Sequence, residues 1–386
     1  MTSFAVRAHS IVAPGDLAYT DFVAGRSAIV RLAEDFPVRV GAPVPESVCP
    51  PVPEARPIVP RAVALGIEAC RRLEYEADTH YGLVLALSSL RFEPEYTVRS
   101  LDSGEDPSGM APLRSYFGDA PLAHVADHLG VDGPRVRVDT ACASGSDALI
   151  VAHQWLESGA LEDVIVVASS AMLNPIVVAG FNSLGALNRD DDLRASRPFD
   201  MKRNGFVMGE GAAAMWLSSR PNPTVLGYLS GYGQSMNTTH MTGVPDDIGI
   251  MLHACTTALA PVPNPAEDLA YVSAHGTSTR LNDTAEIRVY RELLGEGRSR
   301  VAISSLKSMI GHCLGASSLI EACVCVDVLT RGDAPPTTNL EHPEPGSGLD
   351  FVPNESREVT GDFVLSNAFG FGGHNSSILF SRAPIQ

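Results

Sequence analysis

The sequence has few charged residues, and it lacks the features of a nucleic-acid-binding or disulfide-stabilised protein. Charged residues make up 19% of the 386 positions, below the usual quarter. The formal net charge is −17 and no basic run offsets it, which argues against a nucleic-acid or anionic-membrane partner. The seven cysteines, an odd number, show no paired spacing, so neither a disulfide framework nor a zinc site is expected.

Long hydrophobic runs are also absent. The longest apolar stretch, over 163–181, is interrupted by Asn174 and Pro175 and predicts a buried strand with a following loop, not a membrane span. The N-terminal residues lack the basic start and apolar run of a secretory leader. We therefore expect a soluble protein, and the unpaired cysteines favour the reducing cytoplasm.

Apolar and small residues dominate instead. Hydrophobic residues make up 45% of the chain and 34 residues are glycine, which fits a large core with much buried sheet. Prolines crowd 43–60 and predict an extended surface crossing. A helix is predicted over 61–74, and the polar segment 91–117 predicts a long loop.

From about residue 118 onwards, short buried strands alternate with helical patterns. The tripeptide Pro221-Asn222-Pro223 interrupts the alternation, which then resumes with helices predicted near 247–259 and from about 283 and 311. This order predicts an α/β fold of two packed halves, 1–220 and 221–386. The predicted strands are YGLVLALSS, RVRVD, DVIVVAS, GAAAMWL, VLGYLSGYG, LAYVSAH, VAISS, 361–366 and 375–381.

The segment VDTACASGSDALIVAHQWL carries the most specific local signal. A strand ending at Val138 runs into small residues, and a helix is predicted directly after Cys142. A helix N-terminus presents free N–H groups and a positive dipole end, which favour the thiolate of a cysteine. The small neighbours would let a substrate carbonyl approach the sulfur and a backbone oxyanion donor together. By itself, the segment fits a buried structural cysteine better, because most free cysteines are inert core residues.

Four further segments carry candidate groups, and the first of them, RPFDMKRNGFVMGEGAA, is a turn-rich stretch that ends in a strand. YVSAHGTSTRLND places His275 at the end of a buried strand, before glycine and three hydroxyl residues. SSLKSMIGHCLGASSLIE places Lys307 after a strand and His312 at the opening of a helix that also carries Glu321. LSNAFGFGGHNSS sets two phenylalanines among glycines without the Lys-Ser/Thr ending of a phosphate loop. Each segment alone also fits a core histidine or a tight turn.

Together and in this order, the segments resemble the β-ketoacyl-acyl-carrier-protein synthases of fatty-acid elongation and polyketide assembly. The resemblance covers about 118–383 and rests on Cys142 in DTACASG, His275 in AHGTST and His312 in KSMIGH. Thiolases carry a second cysteine in place of one histidine, and the starter-type condensing enzymes carry an asparagine. The Cys-His-His pattern therefore indicates the elongating type. The resemblance implies a thiolase-like fold, in which two similar α/β halves form a five-layered αβαβα core, with the cysteine in the first half and both histidines in the second.

The resemblance also implies a decarboxylative Claisen condensation. Cys142 would take an acyl chain from a carrier-protein thioester, and a malonyl-type thioester would lose CO2 and attack that chain. His275 and His312 would stabilise the enolate, and the backbone N–H groups of Cys142 and Phe371 would form the oxyanion hole.

Further residues receive supporting roles from the resemblance. Lys307, with Glu321 behind it, would orient and electrostatically tune the site. Phe371 would act as a gate between the two half-reactions, because the flanking glycines permit motion. Thr277 and Thr279 would bond the pantetheine amides. The implied substrate-binding residues are Thr277, Thr279, Glu321, Phe369 and Gly372.

The implied partner is an acyl carrier protein, whose phosphopantetheine arm supplies the thioester. No tightly bound cofactor and no metal is expected. A homodimer is expected, with a heterodimer containing a chain-length-factor-like subunit as the alternative. Two other functions stay open: transfer or cyclisation of a carrier-bound chain without elongation, and a non-catalytic subunit that shapes a partner's pocket, although such subunits usually lack the cysteine.

Carrier proteins are acidic, so a chain at −17 is expected to gather basic residues at the substrate entrance. Arg280 stands where the family generally has proline. Arg197 and Arg203 have an alternative structural role, in which they pair with Asp200 or Glu210. The candidate docking residues are Arg194, Arg197, Lys202, Arg203 and Arg280.

Overall fold

The fold is an α/β arrangement built on one continuous mixed sheet. The computed structural model describes residues 1–49, 60–76, 79–88, 119–221, 224–238, 243, 247–297 and 299–385. The predicted loop over 91–117, most of the proline-rich crossing (50–59) and Asn222-Pro223 lie outside this part. The described strands are β1 (Phe4–Val12), β2 (Val30–Arg31), β3 (Val40–Gly41), β4 (Gly82–Ser88), β5 (Arg135–Val138), β6 (Asp163–Ser170), β7 (Gly211–Ser218), β8 (Gly227–Met236), β9 (Leu269–Ser273), β10 (Ala302–Ser304), β11 (Asp333–Ala334), β12 (Arg357–Glu358), β13 (Phe363–Phe369) and β14 (His374–Ser381).

The helices lie between these strands and at both outer faces. None of those in the described ranges is long and apolar enough to cross a bilayer. The described α-helices are α1 (Tyr19–Val23), α2 (Arg61–Arg72), α3 (Ala120–Leu129), α4 (Ser144–Glu157), α5 (Pro175–Ser183), α6 (Gly249–Ala258), α7 (Pro265–Asp268), α8 (Arg280–Leu294), α9 (Lys307–Ile310) and α10 (Ser317–Arg331).

The main sheet consists of two five-stranded sets with the same strand order. The first set runs β5-β4-β6-β7-β1 and the second runs β10-β9-β13-β14-β8. In each set the first three strands are parallel to one another, and each of the next two pairs antiparallel with the strand before it. Numbered along the chain within its own set, each has the order 3-2-4-5-1. The sets join where Phe4–Val6 of β1 pairs with Gly227–Leu229 of β8.

Three hydrophobic clusters pack the helices against the two sets of strands. Helices α4 and α10 contribute to a central cluster that includes strand residues of both sets, such as Val166 and Val364. Helices α2 and α3 cover the outer face of the first set, and α6 and α8 cover the outer face of the second. Each five-stranded set of the continuous sheet forms one sheet layer. The layer order is therefore helix, sheet, helix, sheet, helix, as expected for the αβαβα core.

The two central helices touch directly at Gly145 in the first turn of α4. A Cβ atom there would lie 2.6 Å from the backbone nitrogen of Leu319 in α10. Gly145, one of the small residues expected to leave room for a substrate, instead packs against the neighbouring helix. Its lack of a side chain lets the start of α4 lie next to α10 and so brings the two halves' functional segments together.

Two predicted boundaries are wrong for identifiable reasons. The expected loop after β6 is the helix α5, because the Asn174 side chain accepts a hydrogen bond from the Val177 N–H and Pro175 occupies the first helical turn. The helix expected from about 311 begins only at Ser317. Gly311, with φ of +63°, ends α9, and His312 lies in the connection between the two helices.

Candidate active site

Cys142 lies in a 3-10 turn, Ala141–Ala143, that leads directly into α4. Ala141 has a φ of +52°, an unusual conformation for a residue with a side chain, and this marks a constrained turn immediately before the cysteine. The Ser144 hydroxyl donates to the Ala141 carbonyl at 2.6 Å and accepts from the Thr140 N–H at 2.8 Å, which ties the turn together. The predicted strand–turn–helix placement of the cysteine is therefore observed.

His312 is in contact with the cysteine. Its Nε2 lies 3.1 Å from Cys142 Sγ, and its Nδ1 lies 3.0 Å from the Ser317 hydroxyl. A hydroxyl can donate or accept, so Ser317 is compatible with both neutral tautomers of the imidazole. The ring can thus accept the thiol proton in one state and present an Nε–H donor in another.

His275 completes the cluster from the end of β9. Its ring centroid is 5.3 Å from that of His312, at nearly a right angle. The Glu286 carboxylate holds the backbone of this segment, because it accepts from the N–H groups of His275 at 2.8 Å and Gly276 at 2.6 Å. Asn282 and Tyr290 also donate to Glu286, so a buried network of α8 fixes the histidine's position.

Burial and a neighbouring cation keep both histidines neutral. Burial, followed by the positive charge of Lys307, lowers the pKa of His312 well below its usual value. Burial also lowers the pKa of His275, and Lys307 and then His312 lower it further. Neutral imidazoles suit a site that must accept one proton and donate hydrogen bonds to an enolate.

The cysteine itself is a thiol at neutral pH. Burial raises the pKa of Cys142 to about 11, although the Lys307 charge and the backbone N–H of Phe371 lower it in part. This direction opposes the sequence-based expectation of a resting thiolate, because burial raises the pKa more than the Lys307 charge and the Phe371 N–H lower it. The proton acceptor within reach is the neutral His312.

This arrangement predicts the pH dependence of alkylation. Since only the thiolate reacts and its pKa is about 11, the rate of iodoacetamide modification of Cys142 should rise by about tenfold per pH unit from 7 to 10. Mass spectrometry of the alkylated peptide would measure it. A plateau below pH 8 would show that a resting thiolate exists.

Lys307 and Glu321 form an ion pair behind the cysteine and the histidines. Lys307 Nζ donates to Glu321 Oε1, and each residue is 1% exposed. Burial raises the pKa of the Glu321 carboxyl, and the adjacent ammonium offsets part of that rise. Neither residue lines the cavity. The predicted tuning position is observed, but a direct substrate-binding position for Glu321 is wrong because the pair is sealed in the core.

The pair predicts a stability effect. Lys307→Met should destabilise the fold by about 3–5 kcal/mol, because it leaves the Glu321 carboxylate buried without a partner. The double variant Lys307→Met/Glu321→Leu should recover most of that loss, since neither charge then remains in the core. Urea unfolding of the two variants measures the difference. A double variant as unstable as the single one would contradict this explanation.

A cavity of about 550 Å³ opens above the cysteine and the histidines. Phe371 stacks on Phe181 of α5, with ring centroids 6.3 Å apart. Phe369 is mostly buried, with its ring centroid 6.2 Å from that of His275. Phe369, Phe371, Thr277 and Thr279 line the cavity as predicted, whereas Gly372 does not and its neighbours Gly370 and Gly373 do.

Gly370 brings the Phe371 segment against the cysteine turn. A Cβ atom at Gly370 would lie 3.2 Å from the Cys142 nitrogen and 3.4 Å from the Thr140 carbonyl oxygen. The close approach allows the Phe371 N–H to bond the cysteine sulfur. The backbone N–H groups of Phe371 and Cys142 both lower the pKa of the sulfur, so both approach it, as the predicted oxyanion hole requires.

Sequence reasoning missed several residues of the site. Phe206 packs edge-on against His312 at 5.3 Å, and Asn237 and Asn375 add polar groups to the cavity wall. The segment RPFDMKRNGFVMGEGAA was among the candidate segments, but its turn-rich pattern does not indicate that Phe206 contacts the histidine. Glu286 could have been found as a charged residue on the buried face of a predicted helix. Such a residue indicates a hydrogen-bonded partner but does not identify that partner.

The candidate docking residues divide into paired and unpaired cations. Arg194 pairs with Glu341, Arg197 pairs with Asp192 at 2.8 Å, and Arg203 pairs with Glu344 at 2.7 Å. The expected carboxylate partners Asp200 and Glu210 are therefore wrong: Asp200 accepts from backbone N–H groups, and Glu210 pairs with Arg61. The described residues provide no ion-pair partner for the exposed Lys202 and Arg280.

The Cys142, His275 and His312 donor atoms all lie within 4.8 Å of one another, a spacing that resembles a metal site. The buried Lys307 ammonium next to them argues against a divalent cation, because the charge that depresses the histidine pKa values also repels a metal ion. The arrangement fits stabilisation of a developing negative charge better.

Comparisons with known proteins agree on one family. The N-terminal and C-terminal domain models of β-ketoacyl synthases match residues 69–222 and 226–341. A 3-oxoacyl-[acyl-carrier-protein] synthase 2 from Synechocystis is 40% identical over 292 residues, which cover 73% of this chain and 70% of that protein. The tetracenomycin ketoacyl synthase alpha subunit of Streptomyces glaucescens is 40% identical over 278 residues, which cover 70% of this chain and 65% of the relative.

The solved structures extend the match to nearly the whole chain. A β-ketoacyl synthase from Burkholderia phymatum superimposes with a TM-score of 0.85 at 28% identity, and the match covers 99% of this chain and 100% of that one. The predicted thiolase-like fold is thereby confirmed. The chain belongs to the β-ketoacyl synthases, acyltransferases that form carbon–carbon bonds.

Proposed function

We propose that the chain condenses a carrier-bound acyl chain with a malonyl-type thioester, through Cys142, His275 and His312. The observation that carries this proposal is the contact of a cysteine with one neutral imidazole, 3.1 Å away, and the presence of a second imidazole beside it. A second histidine is unnecessary for acyl transfer alone. It is useful where an enolate must be stabilised.

In the first half-reaction, His312 Nε2 takes the Cys142 proton and the sulfur attacks the acyl thioester carbonyl. The oxyanion of the tetrahedral intermediate accepts hydrogen bonds from the N–H groups of Cys142 and Phe371. The carbon–sulfur bond to pantetheine then breaks, and the departing thiolate takes the proton from His312. The products are acyl-Cys142 and a free pantetheine thiol.

In the second half-reaction, a malonyl-type thioester loses CO2. The electron pair of the broken carbon–carbon bond forms an enolate, whose oxygen accepts from His275 and His312. The enolate carbon attacks the acyl-Cys142 carbonyl, the new carbon–carbon bond forms, and the Cys142 thiolate leaves and takes up a proton from solvent. Phe371 follows Gly370 and precedes Gly372 and Gly373, which both have φ near +80°. It serves as the gate between the two steps.

An acyl carrier protein is the proposed partner, and its phosphopantetheine arm is the only cofactor required. The proposal also includes assembly with a second copy of the chain or with a chain-length-factor-like subunit. The division into two halves between residues 220 and 221 remains a prediction, which the repeated strand order supports. A cytoplasmic location also remains a prediction. Polyketide or other specialised acyl-chain biosynthesis is the proposed setting, because curated relatives include polyketide synthase subunits.

Intact-mass spectrometry after incubation with a panel of acyl-carrier thioesters tests the first half-reaction. We expect the mass of one acyl group on the protein and its location on Cys142 after digestion. Loading followed by transfer to an alcohol, an amine or another site on the same chain, without use of a malonyl thioester, would favour the non-elongating alternative.

A further inference from the structure

Arg280 is an exposed cation at the mouth of the catalytic cavity. It begins α8, lines the cavity and lies next to Leu281, which is 68% exposed. Cys142, which lines the same cavity, is only 6% exposed. The cavity therefore runs from a buried sulfur to an exposed rim that carries Arg280.

The local surroundings leave the charge of Arg280 available. Its Nε–H donates to the Arg203 backbone carbonyl at 3.5 Å, which holds the stem in place. The carboxylates beside it are engaged, because Glu344 and the buried Asp283 both face the Arg203 guanidinium. Of the five candidate cations, Arg280 alone lines the cavity.

The chemistry of the proposed substrate supplies a matching anion. A phosphopantetheine thioester that reaches Cys142 would extend along the cavity, past Thr277 and Thr279, and carries a phosphate at its other end. Guanidinium groups bind phosphate through paired, charge-assisted hydrogen bonds. The exposed Asn204 side chain also lines the cavity and offers an amide N–H donor, and the positive end of the α8 dipole adds to the attraction.

We infer that Arg280 binds the phosphate of the phosphopantetheine arm and thereby selects phosphorylated over unphosphorylated pantetheine thioesters. This inference rests on the proposed function. The phosphate can come from a carrier-bound arm or from coenzyme A. A role in contacting acidic side chains of the carrier protein is a different outcome, which the experiment separates.

The experiment measures the second-order rate constant for acylation of Cys142 with four thioesters of the same acyl group. These are the acyl-pantetheine, acyl-4′-phosphopantetheine, acyl-coenzyme A and acyl-carrier-protein forms. The wild type should prefer phosphopantetheine over pantetheine by at least about tenfold, the scale of one charge-assisted hydrogen bond. In Arg280→Gln that ratio should fall to near one, and Arg280→Lys should keep part of it.

Arg291→Gln is the matched control, because Arg291 is also exposed on α8 but lies in its last turn and does not line the cavity. It should keep the wild-type ratio. A loss confined to the carrier-protein substrate would overturn the phosphate assignment in favour of protein contacts. An equal loss with all four thioesters would overturn it in favour of a structural role. No acylation of the wild type by any thioester would instead contradict the proposed function. Comparison of coenzyme A with the carrier protein shows which source of phosphate is preferred.

Discussion

Replacement of Cys142 by alanine is expected to abolish acyl loading. Cys142 is the cysteine whose sulfur lines the catalytic cavity and contacts a neutral imidazole. Burial raises the pKa of Cys70 and of Cys255 to about 12, and neither lines the cavity. Intact-mass spectrometry after incubation with an acyl thioester should show no acyl adduct on Cys142→Ala.

Cys70→Ala is the control for this experiment, because it removes a buried thiol from α2 on the outer face of the first half. It should load at the wild-type level once the folded fraction is matched. Iodoacetamide should likewise modify Cys142 before the other cysteines. Residual loading of Cys142→Ala, or earlier modification of Cys313 or Cys70, would assign the nucleophile elsewhere.

Replacement of either histidine is expected to reduce condensation by at least about a hundredfold, the scale of losing one preorganised oxyanion donor. The two variants should differ in acyl loading. His275→Ala should retain loading, because its side chain is offered to the enolate and the Cys142 contact belongs to His312. His312→Ala should slow loading as well, because it removes the acceptor of the thiol proton.

Rates of loading and of malonyl decarboxylation, measured separately on both variants, resolve these roles. Far-ultraviolet circular dichroism and urea unfolding would confirm that each variant is folded. His275→Ala with normal condensation would remove the second imidazole from the mechanism. Equal loading by His312→Ala and the wild type would remove the proton-acceptor role.

The catalytic residues were predictable from sequence because their motifs are local. Each motif indicated a turn at the end of a buried strand. The signals were the small residues around Cys142, the strand before His275 and the strand before Lys307. The resemblance then joined three distant segments. The alternating pattern likewise predicted two α/β halves, and the structure shows the same strand order in each.

Other features depend on tertiary contacts that no local pattern records. The pKa of Cys142 is raised mainly by burial. The partner of Glu286 is a pair of backbone N–H groups ten and eleven residues away. Gly145 is small because α10 lies against it, which becomes visible only when the two halves are packed. The start of α10 was misplaced because the glycine turn before His312 is followed by residues that also suit a helix.

The most direct test of the account is the stoichiometry of a single turnover. Enzyme acylated on Cys142 and freed of excess thioester is mixed with a malonyl-carrier thioester labelled at its free carboxylate, and released CO2 and extended product are counted together. The account predicts one CO2 and one β-ketoacyl thioester per acyl group, with Cys142 returned to the free thiol. An acyl group that stays on Cys142, or leaves it without CO2 release, would contradict the account.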